Sequence, residues 1–162
     1  MRPVMSVRWL VPVLLAGAVS CSDSTTPESS QIVGGWISPR ETLQPSGSMM
    51  KFLSFSESGT FNFTVNTYGI YGGNGSSVAA YTHISGTYQQ DGDRLVLTAN
   101  RVATWDSFYG AGSTETVEQV NMTIFDQARF RILGFHLVLD YITYPADGPV
   151  PTTASFTRLG LD

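Results

Sequence analysis

Apolar residues recur at every second position in four separate stretches of this chain: Phe61, Phe63 and Val65; Leu95, Leu97 and Ala99; Val120, Met122 and Ile124; Leu137, Leu139 and Tyr141. A period of two puts alternate side chains on one face of a strand, whereas a helix needs its apolar face every third or fourth residue. No stretch after Gln31 keeps the helical spacing. Composition points the same way, because 16 Gly and only 14% charged residues leave few of the side chains that favour helices. The pattern predicts an all-β domain with strands near 34–37, 49–56, 60–68, 78–90, 94–105, 115–133, 136–144 and 153–159. The stretch 115–133 is read as one strand bent by a bulge near Asp126-Gln127; two strands with a turn there is the alternative.

The connections between these strands alternate in length. Glu57-Ser58-Gly59, Asp91-Gly92-Asp93 and Gly134-Phe135 are short and contain a Gly that suits a tight hairpin, whereas 38–48, 69–77, 106–114 and 145–152 are long. In an up-and-down meander successive connections alternate between the two ends, so every long loop falls at one end and every tight turn at the other. Eight antiparallel strands can close on themselves, which removes the exposed edges that a chain with a single Lys, Lys51, is poorly equipped to protect. The expected fold is an eight-stranded antiparallel up-and-down barrel over residues 32–162, with room inside for side chains or one small ligand.

The first twenty residues are an address. Arg2 and Arg8 precede an apolar run from Trp9 to Val19, broken by Pro12 and Gly17. As a helix that run would span roughly 16 Å of a membrane core about 30 Å thick, so it reads as a secretory signal. Its exit, Gly17-Ala18-Val19-Ser20-Cys21, resembles a bacterial lipobox, in which the Cys becomes the lipidated first residue and carries acyl chains such as palmitate. Ala16-Gly17-Ala18 is also an A-x-A site for ordinary cleavage, which would leave Cys21 as a free thiol. Cys21 is the only Cys and has no internal disulfide partner, which favours the anchor. Ser22 after the Cys implies, by the same resemblance, an outer-membrane destination in the cell envelope. Residues 21–30 contain no large apolar side chain to offset the entropy of ordering, and 21–31 read as a flexible polar tether of about 17 Å reach.

Gly34-Gly35-Trp36 forms a G-x-W at the first strand. It is followed by Phe55-x-x-x-Gly59-Thr60-Phe61, then by Gly86-Thr87-Tyr88 leading through Asp91-Gly92-Asp93 to Leu95-Val96-Leu97, and finally by Phe156-Thr157-Arg158. This ordered set resembles the bacterial lipocalin-like domains over residues 32–160. The resemblance implies that Trp36 plugs the closed end of the barrel and that Arg158 lies across its ring, a structural pair. The chain departs from lipocalins in having no C-terminal helix and no second lipocalin motif.

Chemistry-bearing clusters are sparse. His83 and His136 stand alone, with no His or Cys at ligand spacing, so no metal is expected. No G-x-S-x-G elbow is present, Asp91-Gly92-Asp93 lacks the closing carboxylates of a Ca²⁺ loop, and the Gly-rich stretch 69–77 has no Gly-Lys-Ser/Thr. No catalytic residue, cofactor or enzymatic activity is expected. The overall balance of 9 Lys+Arg against 13 Asp+Glu provides no basic stripe, which argues against a nucleic-acid partner. The leading functional expectation is a membrane-anchored module that binds a small hydrophobic ligand. Its candidate lining is Phe63, Val65, Leu97, Met122 and Leu139, and its candidate mouth Tyr71, Trp105, Phe108 and Tyr109. The alternative is an envelope protein–protein interaction or inhibitor module with a solid barrel.

Overall fold

Each predicted alternation folds as a strand. The computed structural model describes residues 29–44, 47–69, 77–107 and 113–160. The chain opens with one helical turn, α1 (Ser29–Ile32). The strands follow as β1 (Gly34–Ile37), β2 (Glu41–Thr42), β3 (Ser48–Phe55), β4 (Thr60–Tyr68), β5 (Val78–Asp91), β6 (Arg94–Asp106), β7 (Thr116–Ile124), β8 (Asp126–Leu133), β9 (His136–Thr143) and β10 (Val150–Arg158). Along β6 the alternation is visible as burial: Leu95, Leu97 and Ala99 are buried while Arg94 and Val96 are exposed.

Strand pairing is antiparallel throughout and follows the chain, β3 to β4 to β5 to β6, then β7 and β8, then β9 and β10. The four residues of β1 close the circle. Gly34 to Ile37 pair with Phe55 to Phe52 of β3 on one side, and Trp36 and Ile37 pair with Arg158 and Thr157 of β10 on the other. The result is the expected closed, eight-stranded, up-and-down barrel, in which β7 and β8 count as one strand. Both run antiparallel to β6, at Leu97↔Ile124 and Arg94↔Arg129.

The bulge expected near Asp126-Gln127 separates these two halves. Phe125 and Gln127 adopt left-handed backbone, φ 52° and 55°, a conformation that costs a non-Gly residue roughly 1–2 kcal/mol and bends the strand sharply. Pairing with β9 begins only at Asp126↔Ile142. Among the described residues, β7 therefore has a partner on one edge, β6. A second kink lies opposite, where the register of β5 and β6 shifts after Ser85. A Cβ on Gly86 would stand 2.0 Å from the Thr98 carbonyl oxygen, so only Gly lets the two backbones approach there.

Two features differ from the sequence expectation. Residues 29–31, expected in the tether, belong to α1, because Ile32 is buried and the carbonyls around it have partners on the barrel, as described below. The short β2, absent from the predicted strands, extends the edge of β3 through Glu41↔Met49 and Thr42↔Ser48.

The core occupies the tight-turn half of the barrel. Trp36, Phe61, Phe130, Phe156, Ile32, Leu53, Leu97, Leu137 and Leu139 are its largest fully buried side chains, and they form one continuous cluster with Phe55, Phe63, Leu95 and Ala99.

Candidate functional site

The closed pole is built first by the chain and last by its end. Arg158 lies over the Trp36 ring, 5.1 Å from its centroid, and its guanidinium donates to the carbonyl oxygens of Val33 at 2.7 Å and Gln31 at 3.4 Å. Trp36 Nε1 donates to the Ile32 carbonyl at 2.9 Å. A buried indole N–H needs such an acceptor, and the carbonyls of α1 gain donors in return. This arrangement places both members of the sequence-derived pair together at the pole of the tight turns.

Above that plug the interior is filled. A side chain lining a cavity wide enough for water would present surface to it, but Leu97 and Leu139 are both 0% exposed and present none. Phe63 belongs to the same packed cluster and Val65 packs against it. Met122 is 47% exposed. It pairs with Ala99 on β6 at a point where no β9 residue stands on its other side, so it is not part of an enclosed lining. The candidate lining thus divides into three core residues, one residue at the core's margin and one surface residue.

Space opens higher up, on the long-loop side. β1 pairs with β10 only as far as Ile37↔Thr157; above it the two residues of β2 follow along β3 but do not pair with β10, so the ladder is open on that side. Ser38 continues for one residue as a bridge: its N–H donates to the Lys51 carbonyl at 2.8 Å and its Oγ accepts from the Lys51 N–H at 2.9 Å. The resulting cleft has a volume of about 220 Å³ and is bounded by Ser38, Pro39, Glu41, Lys51, Tyr141 and Thr152 to Ser155.

Strand parity explains how polar groups come to face this cleft. Lys51 lies on β3 two residues from buried Leu53 and four from buried Phe55, and therefore on their face. Tyr141 follows Leu137 and Leu139 on β9 in the same way. The Lys51 ammonium pairs with Glu41 Oε1 at 2.7 Å, with the lysine side chain 24% and the glutamate 47% exposed. Tyr141 caps a file of aromatic rings. Its ring stands edge-on to Phe125 at 4.7 Å, and Phe125 stands edge-on to Phe63 at 5.0 Å, linking the cleft to the core. Burial pushes the Tyr141 phenol above its ordinary pKa; Lys51 opposes that shift and Glu41 reinforces it. Lys51, Glu41, Phe125 and Tyr141 were not among the sequence candidates, although the parity of Lys51 with Leu53 and Phe55 was available as a signal.

Of the candidate mouth residues, Tyr71, Phe108 and Tyr109 lie outside the described residues, as does Cys21. Trp105 is at the long-loop end but on the outer face. The register Asn66↔Tyr81↔Trp105 alternates with Val65↔Thr82, which faces inward. Trp105 stacks on Tyr81 with centroids 5.7 Å apart, and its Nε1 donates to the Ser113 carbonyl at 3.1 Å. Tyr81 donates to Glu115 at 2.8 Å, a bond that raises the phenol pKa. With Asn66 and Val78 these rings border an open depression of about 320 Å³.

His83 Nδ1 is 2.8 Å from Thr64 Oγ1 on the outer face, and His136 is exposed beside Thr157. Among the described residues no three His, Cys, Asp or Glu side chains gather as a metal site. In comparisons with known proteins, no family model and no curated protein matches the chain.

Proposed function

We propose that this is a lipid-anchored envelope protein whose barrel binds a small hydrophobic molecule at its open end. The observation that carries the reading is the cleft between β3 and β10, which combines an aromatic wall at Tyr141 with the chain's single lysine above a sealed apolar core. Ligand sites of this kind are concave, largely apolar and supplied with a few fixed polar groups. The packed lower half of the interior supports a mouth site over one deep in the barrel. A cleft of about 220 Å³ accepts a slender molecule or one end of a longer one. The anchor rests on the sequence around Cys21, where two or three acyl chains would hold the protein far more firmly than one.

A second reading is favoured by the same packed core, from Trp36 through Leu139, which resembles that of a scaffold. In it the barrel is a rigid support and the long loops dock another envelope protein.

Two measurements test the proposal. Metabolic labelling with palmitate should mark the wild-type chain and not Cys21→Ser. Native mass spectrometry of protein extracted from its host, with displacement of a fluorescent fatty acid, should show a bound small molecule and saturable competition. Intrinsic tryptophan emission is a poor reporter, because Trp36 is sealed at the far pole and Trp105 lies outside the barrel. Absence of both bound mass and saturable displacement would leave the interaction module as the better reading.

A further inference from the structure

We infer that Lys51 is an anion receptor and that the ligand of the mouth cleft is a single-chain amphiphile bearing a carboxylate, for which Glu41 is the resident substitute. The inference rests on the mouth-binding reading and names its ligand class.

The position of Lys51 is the first ground. The one lysine in the chain stands on the inward face of a central strand, although long cationic side chains ordinarily serve on solvent faces and exposed edges. Its ammonium stays within reach of solvent at the cleft and is paired with a carboxylate. That carboxylate is supplied by the most weakly held element of the barrel. β3 is paired along its length to β4, and the Lys51 backbone is also hydrogen-bonded to Ser38 on the other side, which fixes Lys51, whereas β2 is two residues long and held by two residue pairs. The glutamate is also the more exposed partner, 47% against 24%. A carboxylate arriving from solution can therefore take the place of Glu41 on the ammonium while Glu41 turns to water. The exchange keeps one charge-assisted hydrogen bond of the same kind.

Tyr141 is the second ground. It borders the same cleft, and its hydroxyl has no hydrogen-bond partner among the described residues. Burial keeps its proton in place, so it is available to donate to the second carboxylate oxygen. One ammonium and one hydroxyl suit a monoanion. The Tyr141 ring and Ala154 offer apolar surface for the start of an alkyl chain, and a cleft of about 220 Å³ suits one chain better than two.

The test compares decanoate with 1-decanol by isothermal titration of the full-length protein held in amphipol, with thermal melts confirming that each variant folds. Wild type should prefer the acid by at least about tenfold. Lys51→Met should reduce the ratio of acid to alcohol affinity to near one. Glu41→Gln, by removing the internal competitor, should widen that ratio about tenfold, and Tyr141→Phe should narrow it severalfold. Equal binding of acid and alcohol by wild type, or no change in the ratio in Glu41→Gln, overturns the assignment of Lys51 while leaving a mouth ligand in place. No saturable binding of either probe overturns both.

Discussion

Phe125 stands edge-on to Tyr141, with ring centroids 4.7 Å apart and planes at 73°, although one residue belongs to the kink between β7 and β8 and the other to the middle of β9. The same ring meets Phe63 from β4 at 5.0 Å. A strand of regular geometry at Phe125 would not place it there; the left-handed backbone, φ 52°, turns the ring inward. Local strain and tertiary packing are coupled at this residue.

That coupling reverses the usual order of two substitutions. Phe125→Ala should lose about 2–3 kcal/mol of stability, since it empties a partly buried aromatic site and leaves a Cβ in left-handed backbone. Phe125→Gly should be the more stable of the two by about 1 kcal/mol, because Gly adopts that conformation without penalty. Urea denaturation of both variants measures the difference.

At the closed pole, Arg158→Met removes a cation from the Trp36 ring and two donors from the carbonyls of Val33 and Gln31. The expected loss is about 1–3 kcal/mol. Hydrogen exchange at the Trp36 indole N–H should accelerate with it, as the start of the chain loosens. Arg158→Lys should lose less than Arg158→Met, because it keeps the charge but not the planar fork.

Gly86 and Gly134 make a matched contrast. A Cβ at Gly86 would lie 2.0 Å from the Thr98 oxygen and 2.8 Å from the Ala99 Cα, both backbone, while at Gly134 (φ 59°) nothing lies within 4 Å. Gly86→Ala should cost more than about 3 kcal/mol, as β5 and β6 are forced apart. Gly134→Ala should cost about 1 kcal/mol, the strain of left-handed backbone alone. Thermal melts of the two variants check both figures.

Alkaline pH should destabilise the barrel. Burial raises the phenol pKa values of Tyr88 and Tyr141, and the Tyr88 hydroxyl donates to the Ser56 carbonyl at 2.8 Å. The folded state therefore retains these protons to higher pH than the unfolded chain. Their contribution is fully present below the ordinary tyrosine pKa of about 10 and is lost as pH rises through the higher folded values. Urea midpoints should fall between pH 9 and pH 11, and less steeply when Tyr88 and Tyr141 are both replaced by Phe.

Much of the fold was legible because strands announce themselves locally. Leu95, Leu97 and Ala99 define a face without reference to any other strand. Gly59, Gly92 and Gly134 mark turns whose chemistry is contained in a few residues. Strand order, the position of the tight turns and the bulge at Asp126-Gln127 all followed from such short-range signals. The site was less legible. Parity says which residues of one strand share a face, but not how high in the barrel that face is filled, nor where a neighbouring strand stops.

Leu97, Leu139 and Met122 show the limit. All three occupy apolar alternating positions, yet the first two are sealed in the core and the third is half exposed, because the kink at Phe125 leaves β7 with no β9 beside it. Trp105 likewise sits at the expected end but on the outer face, after a register shift within β6. The sequence by itself determined an all-β meander with a Trp at its start and an Arg at its end, since those features depend on residues close together in the chain. Only the tertiary structure decided that Lys51, Glu41 and Tyr141 meet at one cleft. That meeting depends on where β1 ends between β3 and β10, a property of how the strands close and not of any one strand.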